Sequence, residues 1–379
     1  MRNQPAGSAP MGKNHLSSAS VLAENAIAQG TAAASQSAAA INVAPRIDID
    51  LRYADRPVNG FFSKSERIAY LKRHGSHVLS FCSMQPDMRY FDMPGIGYIS
   101  YMRNFNGKPF TLGDPVCSPE HMPLIINKFL EQHSNAVFCQ VSKPVMQHLN
   151  DEHKYYGTQM GSQSTIDLEN WDLKGKKKQV IRTAVNQAKK CGVEVHESRC
   201  ENHTREISEK WLKTRKIKGQ EIRFLIRPMN MTYTEGVRYF YAYVDGNPVG
   251  FVFFDPIYEN NEIISYVPNI SRSNVEFNQG LFYTIMSHAM EIFQAEGIKQ
   301  LDLGFIPASM AKDDEPQESW WVKKALRLCY EHAGFIYSFK GIEFTKSRFR
   351  GQVDRTYICH KRAVPVFDFV GMFNILNVF

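Results

Sequence analysis

Tyr266, Asn269, Arg272 and Asp302 place a phenol, a carboxamide, a cation and a carboxylate along two short stretches, Ser265–Arg272 and Leu301-Asp302-Leu303-Gly304. A carboxylate at a strand end can orient an amine or a ribose hydroxyl, and it can equally cap a neighbouring loop. Tyr266 reads as a general acid or as a core aromatic with its hydroxyl at the rim. Arg272 reads as a phosphate clamp or as an ordinary loop arginine. Downstream, Lys340, Lys346, Arg348, Arg350 and Arg355 form a cationic closing segment. Lys346 and Arg348 alternate on a predicted strand and so share one face, with a solvated strand edge as the competing account. Upstream, Lys178, Arg182, Asn186 and Lys189 fall on one side of a predicted helix whose apolar side is Ile181, Ala184, Val185 and Ala188. That face can present cations to a polyanion or only to water. His288, inside a long apolar helix, reads as structural. Trp320 and Trp321 suggest an apolar lid or groove that receives a lipid chain or packs.

The elements that must position these groups are legible from Tyr239 to Phe305. Tyr239 to Val244 is a β-branched and aromatic strand, Asp245-Gly246-Asn247 a hairpin turn, and Pro248 to Asp255 the returning strand. Glu262 to Val267 adds a strand, Asn278-Gln279-Gly280 a break, and Leu281 to Glu296 a helix with Phe282, Ile285, Ala289, Ile292 and Phe293 on one face. Gly297 stands at its C-cap, and the strand Lys299 to Leu303 follows. An earlier run has a similar order. Lys64 to His74 is a predicted helix, Val78 to Cys82 and Gly97 to Arg103 are strands, and Gly113-Asp114-Pro115 is a turn. Pro119 to His133 is a helix, Ala136 to Val141 a strand, and Pro144 to Tyr155 a helix. The expected fold is therefore mixed α/β (α+β), with two tandem units and mixed central sheets. The expected divisions are a leader over 1–45, a first unit over 46–170, a basic helix plus second unit over 171–363, and an apolar tail over 364–379.

Lys+Arg 45 against Asp+Glu 38 gives a net charge of +7 over 379 residues, a mild basic excess that suits tRNA or an anionic bilayer surface. The seven cysteines are scattered without a paired C-x-x-C, as in reduced thiols of a cytoplasmic protein, and no Cys/His cluster has zinc spacing. The Ala/Ser-rich leader lacks aromatic residues and reads as disordered or weakly helical around Val21 to Ala28. It lacks a secretory apolar core, and no stretch has the length to span a bilayer. The tail, Val364 to Phe379, reads as a docked final strand or helix. Lys213, Arg215, Lys216 and Lys218 add a second basic cluster on a predicted loop.

The order from Tyr239 to Phe305 resembles the GNAT superfamily of acyl-group transferases. Four blocks extend the resemblance over Phe61 to Lys361. They are Arg89-Tyr90-Phe91 with Gly97-Tyr98-Ile99-Ser100-Tyr101 and Leu112-Gly113-Asp114-Pro115-Val116; Leu173 to Lys178 with Arg182, Asn186 and Gly192-Val193; Leu301 to Pro307; and Ser338-Phe339-Lys340-Gly341 with Lys346, Arg348, Phe349 and Tyr357. Together they resemble the C-terminal synthase domain of the phosphatidylglycerol lysyltransferases, or aminoacyl-phosphatidylglycerol synthases. The resemblance implies a tandem GNAT fold that moves an aminoacyl group from aminoacyl-tRNA to a lipid hydroxyl on an anionic membrane surface. It implies no cofactor, no metal, no DNA, and a cytoplasmic chain that is peripheral on the inner membrane and lacks the spanning flippase part of the long members. Tyr266, Asn269, Arg272 and Asp302 are the implied catalytic set. Lys340, Lys346, Arg348 and Arg355 would bind substrate, and Lys178, Arg182 and Lys189 would bind tRNA. The family's Ser-Tyr pair is followed by Asp-Leu-Met-Arg, whereas here Ser265-Tyr266 is followed by Val267-Pro268-Asn269-Ile270-Ser271-Arg272. Two other readings stand beside this one. One is a GNAT N-acyltransferase using acyl-CoA, for which Asn278-Gln279-Gly280 gives only a partial pyrophosphate loop. The other is a degenerate member that binds lipid or protein without catalysis.

Overall fold

A capping box opens the described chain. In the computed structural model the Ser63 side chain accepts from the Glu66 N–H while the Glu66 carboxylate takes the Ser63 N–H, starting α1 (Lys64–His74). The structure describes residues 62–199, 201–213, 221–229, 233–274, 280–307, 317–332 and 339–377. All belong to one compact unit, Ile49–Phe379. The leader, Arg215, Lys216, Lys218, Asn278, Gln279 and Ser338 lie outside the described residues.

After α1 come β1 (Arg89–Met93), β2 (Gly97–Arg103), β3 (Pro109–Leu112), β4 (Val116–Cys117), α2 (Met122–Gln132), β5 (Val137–Val141), α3 (Lys143–His153) and β6 (Tyr156–Asp167). The chain continues through α4 (Gln179–Lys190), β7 (Val193–Glu197), α5 (Glu201–Lys213), β8 (Arg238–Val244), β9 (Asn247–Glu259), β10 (Glu262–Ser273), α6 (Leu281–Ala295) and β11 (Gln300–Pro307). It ends with α7 (Trp320–His332), α8 (Phe339–Ser347), β12 (Gln352–His360) and α9 (Val366–Ile375). The strands make one mixed sheet in the order β1-β2-β3-β5-β12-β6-β11-β10-β9-β8-β7, with β4 on β2. The mixed α/β expectation holds. β12 returns from the end of the chain to lie antiparallel between β5 and β6, so early and late strands share one hydrogen-bonded sheet.

One side of the later strands packs α4 and α6 through Ile181, Met286, Ala289, Met290 and Phe293 against Phe240, Tyr266, Leu301 and Leu303. The other side gathers Cys82, Phe224, Ile257, Val267, Val322, Met372 and Ile375. The two sides differ in polarity, because only the second also carries buried charges, described below.

Two sequence expectations fail here for local reasons. Val78 to Cys82 is not a strand: Ser80, Ser83 and Gln85 donate to carbonyls three residues back, and Phe81–Met84 is a 3-10 helix, fully buried. A short apolar run does not distinguish these forms. Lys346 and Arg348 do not alternate on a strand, because α8 runs to Ser347 and Arg350 turns at φ +61 before β12 begins at Gln352. The hairpin expectation holds, with Asp245 and Gly246 at φ +50 and +75, and the apolar tail forms the helix α9. No helix among the described residues is long and apolar enough to cross a membrane.

β6 and β11 approach closely at Gly161, where an added Cβ would stand 2.4 Å from the Ile306 carbonyl oxygen and 2.5 Å from the Phe305 ring. Gly161→Val is expected to lower the urea midpoint by overpacking of about 1–3 kcal/mol. An unchanged midpoint would show that the two strands can part here.

Candidate active site

β10 and β11 run parallel and pair only at Ser265↔Gln300 and Tyr266↔Leu301. Past those pairs each strand is held by its other neighbour, β10 by β9 and β11 by β6. The two strands therefore splay, and the inner edge of β10 beyond Tyr266 offers backbone groups toward a gap rather than to β11. Such an edge can meet an oxyanion with N–H donors already in place.

Asp302 and Gly304 form the β11 side of the gap. The β11–β6 register shifts between Asp302 and Phe305, and Gly304 takes φ +72. An added Cβ at Gly304 would meet Val267 Cγ2 at 3.2 Å, so both backbone angle and space favour glycine. Asp302 closes the turn by accepting the Gly304 N–H at 2.5 Å with Oδ1. Its Oδ2 takes the Gln163 amide at 2.7 Å and the Thr165 hydroxyl at 3.2 Å, both from β6. Lys346 of α8 reaches across and donates from Nζ to the Phe305 carbonyl at 2.8 Å. Burial pushes the Asp302 carboxyl up to about 6, partly offset by these donors and by the Lys346 charge. Burial pulls the Lys346 ammonium down to about 8, with Asp302 opposing. An acid near 6 beside an amine near 8 suits proton movement at neutral pH.

The β10 side carries a second polar group. Asp255 on β9 stands directly across from Val267, on the same face of the sheet. The carboxylate absent after Ser265-Tyr266 is thus matched by one on the neighbouring strand. Asp255 and Arg227 form a fully buried ion pair, with Nε 2.9 Å from Oδ2 and Nη2 2.8 Å from Oδ1. Asn269 is the extra residue of a β10 bulge between Pro268 and Ile270. Its amide donates to Asp255 at 2.8 Å and to the Cys82 sulfur at 3.0 Å, while its oxygen accepts the Arg227 N–H at 3.1 Å. Burial raises the Asp255 carboxyl, Arg227 and Asn269 opposing, and pushes the Cys82 thiol up to about 12. That thiol stays protonated and unreactive. Further along β10, Arg272 bonds Glu221 and lies over the Trp211 ring at 4.9 Å, and its Nη1 is buried without a partner among the described residues.

The sequence-derived set is therefore divided. Asp302 and Lys346 come together, Asn269 joins Asp255 and Arg227, and Arg272 joins Glu221. Tyr266 lies on the opposite side of the sheet, stacked on Phe293 at 4.5 Å with Arg238 against its hydroxyl, and burial raises its pKa. Arg348 covers the exposed Phe344 ring at 3.9 Å, Arg355 pairs with Ser162 along β12, and Lys340 is exposed in the first turn of α8. In the basic region Lys178 donates to the Asp172 carbonyl at 2.6 Å and sits 4.7 Å over Trp171. Arg182 donates to Leu173 and Gly175 carbonyls at 2.5 and 2.6 Å, so both cations brace their own segment, whereas Lys189 is exposed. Sequence reasoning missed Asp255, Arg227 and Glu221. The one available signal was a charge, Asp255, interrupting the apolar run Val249 to Ile257.

The sequence pattern of the family described as phosphatidylglycerol lysyltransferase, C-terminal, matches residues 68–360. The phosphatidylglycerol lysyltransferase of Bacillus subtilis (strain 168) is 22% identical over 319 residues, covering 81% of this chain and 36% of that protein. Its namesake in Staphylococcus aureus (strain MRSA252) is 20% identical over 331 residues, covering 83% and 37%. The chain thus spans about a third of the length of these curated relatives. Among solved structures, L-PGS from Bacillus licheniformis superposes with TM-score 0.68 at 19% identity, covering 83% of this chain and 95% of that one. The C-terminal domain of a putative lysylphosphatidylglycerol synthetase from Agrobacterium fabrum gives TM-score 0.66 at 18% identity, covering 81% and 97%. With the family pattern spanning most of its length and the same fold in both structures, the chain belongs to the phosphatidylglycerol lysyltransferase C-terminal family.

Proposed function

We propose that the chain transfers an aminoacyl group from aminoacyl-tRNA to a hydroxyl of an anionic, phosphatidylglycerol-like lipid at the cytoplasmic face of the inner membrane. The observation that carries this reading is the splay of β10 from β11, with Asp302 buried and Lys346 half-buried on its β11 side. The names of the relatives support the substrate classes. In the reaction, the acceptor oxygen attacks the ester carbonyl, the bond from that carbon to the ribose oxygen breaks, and the acceptor proton passes to the ribose oxygen. The donor arrives activated, so this reading asks for no cofactor or metal. Asp302 is assigned to orient the aminoacyl amine or a reacting hydroxyl, and Lys346 to balance charge developing in the gap. Asn269 and Arg272 are assigned to the β10 wall, and Tyr266 to supporting that strand from behind. Lys340, Arg348 and Arg355 are assigned to the lipid phosphate, and Lys178, Arg182 and Lys189 to the tRNA side. The catalytic unit is taken as 171–363, preceded by a first unit over 46–170.

The test is transfer of label from radiolabelled aminoacyl-tRNA, scanned across the amino acids, to vesicles containing phosphatidylglycerol. The chain is expected to move label into the lipid fraction, and Asp302→Asn or Lys346→Met to lower kcat/KM by roughly 10²-fold or more. No label in lipid above the protein-free control refutes the reading; acyl transfer from acyl-CoA in its place would establish the N-acyltransferase alternative.

The pair also sets opposed pH dependences for rate and stability. Between about 6 and 8 both groups are charged, so kcat/KM is expected to be bell-shaped, falling below about 6 as Asp302 protonates and above about 8 as Lys346 loses its proton. The folded pKa of Asp302 is raised, so its stabilising contribution is lost as pH rises from the ordinary carboxylate range through about 6. That of Lys346 is lowered, so the unfolded chain holds more protons above about 8 and stability rises with pH there. Both ionisations therefore cost stability where activity is greatest. The double variant Asp302→Asn/Lys346→Met is expected to melt higher than the parent at pH 7 while losing transfer. A lower Tm would show that the pair serves the fold.

A further inference from the structure

The last helix, α9, has its polarity reversed. Its one carboxylate, Asp368, points inward and takes Lys108 Nζ at 2.5 Å, while Gly371, Met372 and Ile375 are buried. Facing outward are Val366 at 58%, Phe367 at 68% and Val370 at 43% exposure, after Val364 at 47%. A helix that buries its charge and exposes valine and phenylalanine is set for a non-aqueous surrounding on its outer side.

The start of α7 lies beside it. The Ser319 hydroxyl donates to the Ala363 carbonyl at 2.5 Å, and Val322 shares a buried cluster with Met372 and Ile375. That contact places Trp320 and Trp321, 59% and 54% exposed, next to the chain that leads into α9. Trp320, Lys324, Arg327 and Leu328 recur at helical spacing and are all exposed. Lys324 covers the Trp320 ring at 4.9 Å, Arg362 is exposed beside Val364, and Arg327 is shared with Glu331.

We infer that the first turns of α7 and the outer face of α9 form one docking surface for a bilayer carrying anionic headgroups. Tryptophan and aliphatic side chains enter the interface, and Lys324 and Arg362 meet the headgroup charge. The cationic rim decides among occupants. A second copy would bring like charges together, whereas an anionic lipid surface complements them. The surface is read from exposure and charge alone; only its use in delivering acceptor lipid rests on the proposed reaction.

The test is flotation of the full chain with vesicles of phosphatidylcholine alone or mixed with phosphatidylglycerol. Two variants, Trp320→Ser/Trp321→Ser and Val366→Ser/Phe367→Ser, are compared with the parent, each checked by Tm and by transfer to a monomeric short-chain phosphatidylglycerol. The parent is expected to float with the mixed vesicles, less at high salt, and to show a blue shift of tryptophan emission. Each variant is expected to lose partitioning by about tenfold or more at unchanged Tm. Retained flotation of both variants overturns the inference. So does a parent that floats with neither vesicle, or one that sediments as a dimer which the substitutions dissociate. Loss of transfer by every form, with flotation behaving as described, would count against the proposed reaction and leave the docking surface standing.

Discussion

The hydrogen bond from the Gly304 N–H to the Asp302 carboxylate is the contact on which the site depends. Parallel strands ordinarily continue their ladder until a loop ends it. Here the ladder between β10 and β11 stops after two pairs because β11 bends at a residue with φ +72, and the bend is fixed by its own side chain. One carboxylate thereby shapes the β11 side of the gap and stands buried within it. The same bend brings Phe305 over Gly161 and turns its carbonyl to Lys346, so strand, bulge and α8 are mutually located.

The face that holds this gap is unusually polar for a sheet interior. The ion pairs Asp255–Arg227 and Arg272–Glu221, and Asp302 within the electrostatic reach of Lys346, all lie on or beside strands β9 to β11. Burying such charges costs several kcal/mol per ion before pairing offsets it, and apolar replacements commonly stabilise a protein. Their retention on one face, while the α4/α6 face is almost wholly apolar, is what a fold looks like when stability is traded for a preorganised site. Asn269 connects strand geometry to that electrostatics: only as the extra residue of a bulge does it reach Asp255, Cys82 and the Arg227 backbone together.

The sequence was most legible where local chemistry fixes the backbone. Asp245-Gly246 made its hairpin, and the apolar face of α6 reached the core through Ile285, Ala289 and Phe293. The Asn260-Asn261 turn was missed although both residues take positive φ, and so β9 runs on to Glu259; β10 begins at Glu262 as expected but continues past its bulge to Ser273. Side choice was the harder problem. Counting by alternation from Tyr266, which faces Phe293, puts Arg272 on the same side, but the register shift between Pro268 and Ile270 turns it to the other, over Trp211. Arg227 and Glu221 could not be found from sequence because their role exists only through contacts with residues 28 and 51 positions away.

The central claim is that this polar gap joins an aminoacyl group to a lipid. The most direct measurement is the mass-resolved polar lipid profile of cells with and without the chain. The account requires a phosphatidylglycerol-like species heavier by one aminoacyl residue, present only with the chain. Identical profiles, or a species heavier by a fatty-acyl or acetyl group instead, would contradict it.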